Sequence, residues 1–184
     1  IRAMRRHEIE RIGLAWMSGV IDDEASLAGM TDVYDAAIEA SLQWAIRHRI
    51  NDMQLEQAPA AIAIIGMGRY GGREVNFSSD ADVIIIYRPA EGADDTQANL
   101  FARKVQEDLR AILQGPTTFE PKIELDMDLR PEGKNGPLVR SYASCEEYYR
   151  SWASTWEHQA LLRARYAAGD AALAEDFLMN IADP

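Results

Sequence analysis

The chain is short of cysteine, of positive charge and of long apolar runs. Its one cysteine, Cys145, excludes an internal disulfide and fits a reducing compartment such as the cytoplasm. Lys and Arg number 19 against 30 Asp and Glu, a formal net charge of −11. A sequence-independent nucleic-acid binder needs a basic face, so no nucleic-acid partner is expected. The same deficit predicts little attraction to an anionic membrane surface. No apolar run approaches the roughly 18 residues that would span a bilayer. Nothing at the start reads as a signal peptide. The first residue is Ile1, not Met, and the last stretch reads as an unfinished helical region, so a piece of a longer protein is expected. No internal repeat or low-complexity tract is present.

Hydrophobic residues make up 47% of the chain and charged residues 27%, values of an ordinary globular domain. Residues 1–20 place Ile9, Ile12, Leu14, Ala15 and Met17 at roughly helical spacing. Asp22 to Glu24 read as a helix start. From Thr31 to His48 the spacing of Val33, Ala37, Ile38, Leu42 and Ala45 predicts an amphipathic helix. The period then changes. AIAIIG at 61–66 and ADVIIIY at 81–87 are short, Ile-rich runs that predict buried strands. Residues 89–95 form a loop. A helix is expected over 97–113, with Leu100, Val105, Leu109, Ile112 and Leu113 inward. KIELDMDL at 122–129 alternates and predicts a third strand. Residues 130–137 are turn-rich. A long helix is expected over 144–167, with Tyr148, Tyr149, Trp152 and Trp156 in a helical core, and a short one over 171–181. The fold class is therefore α+β. A mixed sheet is flanked by N- and C-terminal helices, with segments at 1–58, 59–140 and 141–184.

The chemistry concentrates in GMGRYGGREVNFSSDAD at 66–82. Glycines let backbone N–H groups approach a phosphate. The spelling satisfies G-x-G-x-x-G after a strand, but a dinucleotide fold needs a crossover helix before its next strand. The connection here is too short and too broken for one. The Lys and Ser/Thr of a P-loop are also absent. A tight turn without a ligand stays open as a reading of the glycines alone. Asp80 and Asp82 carry more. On a strand, residues i and i+2 share a face with Cα atoms about 6.5–7 Å apart. Carboxylates at that spacing can converge on divalent cations held about 3.5–4 Å apart. An exposed strand start with two solvated acids is the plain alternative, and the VIII that follows weighs against it. Asp126 and Asp128 lie on the polar face of KIELDMDL and supply a third acid and a candidate fourth. Arg130 opens a constrained loop, where it either clamps a phosphate or nucleobase or pairs with Asp128. Arg163 and Arg165 read as a charged helix surface, and His158 as an exposed or satisfied histidine.

Three stretches together resemble one family. GMGRYGGREVNFSSDAD is similar to the G-x-G-[KR]-x-G-G-x-E-x-x-x-x-S-D-x-D motif of glutamine synthetase adenylyltransferase, also called the adenylyl-removing enzyme. ELDMDLRPEGKNGPLVRS resembles its V-D-x-x-L-R-P-x-G-x-x-G-x-L-V motif, and TWEHQALLRARYAAGD its W-E-x-Q-A-L-x-[KR]-A-R helix. The resemblance covers roughly residues 62–170 and is most like actinobacterial versions. It implies a DNA-polymerase-β-like nucleotidyltransferase fold and one half of a two-half enzyme. One half attaches AMP from ATP to a tyrosine of glutamine synthetase. The other removes it by phosphorolysis, releasing ADP. TWEHQALLRAR followed by GD is more like the C-terminal, adenylylating half. By motif position Asp80, Asp82 and Asp126 are the catalytic acids and the ligands of Mg²⁺ or Mn²⁺. Ser79 and the Gly71–Gly72 backbone would touch the ATP phosphates, and Arg130 matches the LRP arginine. Asp128 stands where many members carry Arg. Implied partners are glutamine synthetase as substrate and, for the full-length enzyme, a nitrogen-signalling regulatory protein. Three functions follow as expectations: adenylylation, adenylyl removal, or nucleotide sensing without catalysis.

Overall fold

The computed structural model describes residues 1–116 and 122–183. Two helices come first, α1 (Arg2–Met17) and α2 (Asp23–Asp52). Asp22 caps α2 by accepting a hydrogen bond from the Ala25 N–H at 2.8 Å, and Asp23 and Glu24 place negative charge in its first turn. The helix then runs unbroken through the stretch expected from Thr31 to His48. Gly29 is tolerated inside it because Ile12 of α1 packs onto that position.

Strands β1 (Ala60–Gly66) and β2 (Ala81–Pro89) form an antiparallel pair in register from Ala60↔Pro89 to Gly66↔Val83. Between them lies a single helical turn, α3 (Gly68–Gly71), followed by the loop 72–80. Helix α4 (Asp95–Gln114) is capped by Asp94, and its Ala98, Phe101, Ala102, Val105, Leu109 and Leu113 are buried. Leu100, expected inward, is 45% exposed.

The remaining strands are short: β3 (Leu125–Asp126), β4 (Val139–Ser141) and β5 (Arg165–Gly169). Helices α5 (Tyr142–Ser151), α6 (Thr155–Leu161) and α7 (Ala171–Phe177) fill in around them, and a π-helical turn over Leu178–Ala182 follows. In the sheet, β3 and β4 each pair in parallel with β2, β2 pairs with β1, and β1 pairs antiparallel with β5. The sheet is thus mixed. Ile62, Ile64, Val83 and Ile85 face α1, α2 and α4; Ala63, Ile65, Ile84 and Ile86 face α5 and α7. Coverage on both faces is why β1 and β2 read as continuous apolar runs.

Three further sequence expectations are corrected. Residues 122–129 alternate as expected, with Ile123, Leu125 and Met127 buried, but only Leu125 and Asp126 pair with β2. The Asp126 carboxylate accepts from the Asp128 N–H at 2.7 Å, which turns the chain out of the ladder. The long helix over 144–167 is two helices and a strand. Ser154 and Glu157 form a capping box that starts α6 afresh, and Arg165–Gly169 leaves the helix to pair with β1. Tyr149 is buried, whereas Trp152 and Trp156 are 75% and 51% exposed, so they do not build the expected core. Among the described residues no helix is long and apolar enough to cross a membrane.

Candidate active site

Asp80 immediately precedes β2, Asp82 is its second residue, and Asp126 is the register partner of Asp82 on β3. Parallel pairing therefore sets the third acid beside the first two. Each offers a carboxylate oxygen, and these oxygens lie within 4.8 Å of one another. Among the described residues this is the one such gathering of three or more acid, histidine or cysteine ligands. Burial, then the negative charge of Asp80 and Asp126, pushes the Asp82 carboxyl up from 3.8 to about 6. Arg69 acts in the opposite sense, through its charge and its backbone N–H. Three hard oxygen donors that repel one another are a fitting set for a divalent cation.

The glycines divide their work. Gly68 holds φ +52°, and a side chain there would run into the Asp82 carboxylate. Gly71 is packed against the Arg163 and Gly66 carbonyls, where any Cβ would collide. The Gly71 and Gly72 N–H groups donate to the Met67 and Gly68 carbonyls at 2.6 and 3.0 Å. Both glycines thus set the packing of α3 on the 163–165 segment.

Ser79 is buried. Its Oγ accepts from the Asn76 N–H at 3.1 Å, and its carbonyl accepts from the Tyr34 hydroxyl at 2.9 Å. The loop that delivers Asp80 is therefore tied to α2. Arg130 is 6% exposed, and its guanidinium donates to the carbonyls of Gly136, Met127 and Lys134 at 2.9, 2.6 and 3.1 Å. It staples the loop 130–136, with Asp128 at 3.7 Å. Asp128 stands apart from the three-acid cluster and pairs with Lys134 at 3.2 Å.

Arg163 and Arg165 are not a solvated helix face. Arg163 reaches Glu74 with two hydrogen bonds at 2.8 and 2.9 Å. Arg165 reaches both Asp35 oxygens at 3.0 and 2.8 Å. They fasten the C-terminal part of the chain to the motif loop and to α2. His158 is exposed and lies edge-on to Tyr149.

Sequence reasoning missed Gly68, Arg69, Tyr34 and Arg5. A hollow of about 350 Å³ beside Asp80 is lined by Arg5 of α1, by Arg69 and by Lys122. Arg69 stands in the quoted motif and was open to notice. Arg5 is one of four arginines within 1–11, and only the packing of α1 distinguishes it.

The family model described as glutamate-ammonia ligase adenylyltransferase matches residues 1–180. A bifunctional glutamine synthetase adenylyltransferase/adenylyl-removing enzyme of Bifidobacterium longum (strain DJO10A) is 79% identical over all 184 residues, which cover 17% of that protein. The enzyme of the same name from Mycobacterium tuberculosis (strain H37Rv) is 46% identical over 180 residues, covering 98% of this chain and 18% of that protein. The chain spans under a fifth of the length of these relatives, at 17% and 18%. On the family match and these identities, the chain belongs to the glutamate-ammonia ligase adenylyltransferase family.

Proposed function

We propose that this chain carries one nucleotidyl-transfer centre of a glutamine-synthetase-modifying enzyme, and that it moves AMP from ATP to a tyrosine of the synthetase. The observation that carries the proposal is the convergence of Asp80, Asp82 and Asp126 within 4.8 Å at one end of the sheet. A mixed sheet with acids on two adjacent strands fits a DNA-polymerase-β-like nucleotidyltransferase core. In this reading residues 59–140 carry the chemistry, between helical flanks at 1–58 and 141–184.

Asp80, Asp82 and Asp126 would hold Mg²⁺ or Mn²⁺. When bound, the cation would offset the three carboxylates, draw in the ATP phosphates and stabilise charge on the departing pyrophosphate. The protein's own groups do the rest. Asp126 takes up the proton of the tyrosine hydroxyl as the oxygen attacks the α-phosphorus. Arg69, through its charge and its backbone N–H, favours the ionised form of Asp82. Arg5, Arg69 and Lys122 line the hollow beside Asp80 and give it the sign that attracts a polyphosphate. Ser79 borders the same hollow.

The same three acids serve removal, in which phosphate attacks the AMP–tyrosine linkage and ADP leaves. The spelling TWEHQALLRAR followed by GD favours the adenylylating direction. Nucleotide sensing without catalysis would not require all three acids, and all three are present and gathered. A cytoplasmic setting and a nitrogen-signalling regulatory protein acting on the full-length enzyme belong to the same proposal.

The test runs two assays in parallel on protein containing this chain. One supplies unmodified glutamine synthetase and ATP labelled at the α-phosphate; the other supplies AMP-modified synthetase and phosphate. Label on the synthetase supports the proposal. ADP release alone assigns the chain to removal, and silence in both contradicts nucleotidyl transfer.

A further inference from the structure

A groove of about 1000 Å³ runs between α4 and the loop 130–139. A second hollow of about 390 Å³ has Asp80 and Asp126 in its wall. Arg110, Gln114, Arg130, Lys134 and Leu138 line both, so the groove opens onto the acid cluster. Its far end is at Asn99. Between Gln114 and Asn99 an α-helix covers ~22 Å at its usual rise. An extended chain spans that distance in about six or seven residues. A nucleotide held at the acids has no need of a groove that continues for about four helical turns.

The wall is chemically specific. Gln106 is 4% exposed and lines the groove, and its amide nitrogen has no hydrogen-bond partner. A buried donor left without a partner is destabilising, and a carbonyl lying in the groove would satisfy it. Arg103 and Arg110 are exposed on the same wall, and neither has a carboxylate partner among the described residues. Glu107 is the acid between them. Lys134 on the facing loop is already paired with Asp128 at 3.2 Å. In a chain of net charge −11, a wall with Arg103 and Arg110 against the single acid Glu107 is a local reversal of sign.

We propose that this groove receives the acceptor polypeptide as an extended, carboxylate-bearing segment, with its tyrosine at the Asp126 end. Gln106 donates to a main-chain carbonyl of that segment, and Arg103 and Arg110 meet its acidic side chains. The inference rests on the nucleotidyl-transfer reading of the three acids and adds the site of the protein substrate.

The test uses the full-length enzyme containing this chain, with glutamine synthetase as the probe. Arg103→Glu, Arg103→Lys and the double variant Asp80→Ala with Asp82→Ala are compared in the reaction this centre supports. Arg103 is exposed, so its variants are expected to melt as the wild type does. Arg103→Glu should raise KM for the synthetase about tenfold or more, with kcat and the KM of ATP or phosphate changed less than about twofold, because reversing a steering charge acts mainly on encounter. Arg103→Lys should recover most of that loss. An unchanged KM for the synthetase overturns the groove assignment. A rise confined to the KM of ATP overturns it too, and gives the groove to the nucleotide. Loss of turnover in the double aspartate variant alongside either result leaves the transfer chemistry standing. Full turnover in that variant removes both.

Discussion

Gly68 stands against Asp82 so closely that a methyl group on its Cα would fall inside the carboxylate. With φ at +52° the backbone is also in the left-handed region. Gly68→Ala therefore meets two penalties, a left-handed cost of roughly 1–2 kcal/mol and displacement of the Asp82 side chain. The expected outcome is a modest fall in melting temperature and a loss of turnover of about tenfold or more, since misplacing a reacting group by about 1 Å costs about a hundredfold. Steady-state kinetics beside a thermal melt separates the two effects.

Tyr34 is the strut that holds the Asp80 loop from α2, through its 2.9 Å hydrogen bond to the Ser79 carbonyl. Tyr34→Phe removes the donor and leaves a buried carbonyl unpaired. A loss of about 1–3 kcal/mol is expected in urea unfolding. Turnover should fall several-fold at temperatures where both proteins are folded.

Asp82 sets a pH dependence whose sign can be worked out. Its carboxyl is raised from 3.8 to about 6 in the folded chain, first by burial and then by Asp80 and Asp126. The folded state therefore binds this proton more tightly than the unfolded state does. The stability this group contributes is fully present below about pH 4 and is lost as pH rises through about 6. A divalent cation requires the ionised form, so it competes with the proton. Mn²⁺ should raise the melting temperature clearly at about pH 7.5 and little at about pH 5. In Asp82→Asn the difference between the two pH values should shrink. An equal shift at both pH values in the wild type would contradict this.

Arg165 joins β5 to the rest of the site. Its guanidinium grips Asp35 of α2, donates to the Tyr70 carbonyl at 3.2 Å and lies 4.9 Å from the Tyr70 ring centroid. Arg165→Ala leaves Asp35 without this partner. About 1–3 kcal/mol of stability should be lost, and Arg165→Lys should recover little of it, because a lysine cannot reproduce the two-pronged contact. Chemical denaturation of the three proteins checks both statements.

The parts of the site fixed by local pattern were legible. The i, i+2 spacing of Asp80 and Asp82 at the head of an apolar run placed them at the start of β2, Asp80 just before it and Asp82 within it, and the alternation of 122–129 placed Asp126 on the neighbouring strand. The break at Ser154 was also written in the chain: Ser154-x-x-Glu157 spells a capping box, but the apolar spacing continues across it and hid the restart. What remained hidden depended on distant contacts. Arg165–Gly169 is strand only because β1 is there to pair with it. The Gly71–Gly72 pair reads either as a phosphate cradle or as a tight turn without a ligand, and the packing of the Arg163 carbonyl onto Gly71 shows only in the fold. Arg130 reads either as a phosphate or nucleobase clamp or as a partner of Asp128, and the three loop carbonyls that it holds show only in the fold. Gly68, whose missing Cβ leaves room for the Asp82 carboxylate, looks in the sequence like any other glycine of the motif.

Asp80, Asp82 and Asp126 are proposed to act together as one metal-dependent transfer centre. The most direct measurement compares wild-type protein with the double variant Asp80→Ala, Asp82→Ala. It reads α-phosphate label transfer to glutamine synthetase and ADP release from the AMP-modified form, with Mg²⁺ present and melting curves alongside. The reaction this chain supports is expected to fall to background in the double variant while the fold is retained. Turnover at the wild-type rate in a folded double variant would contradict it.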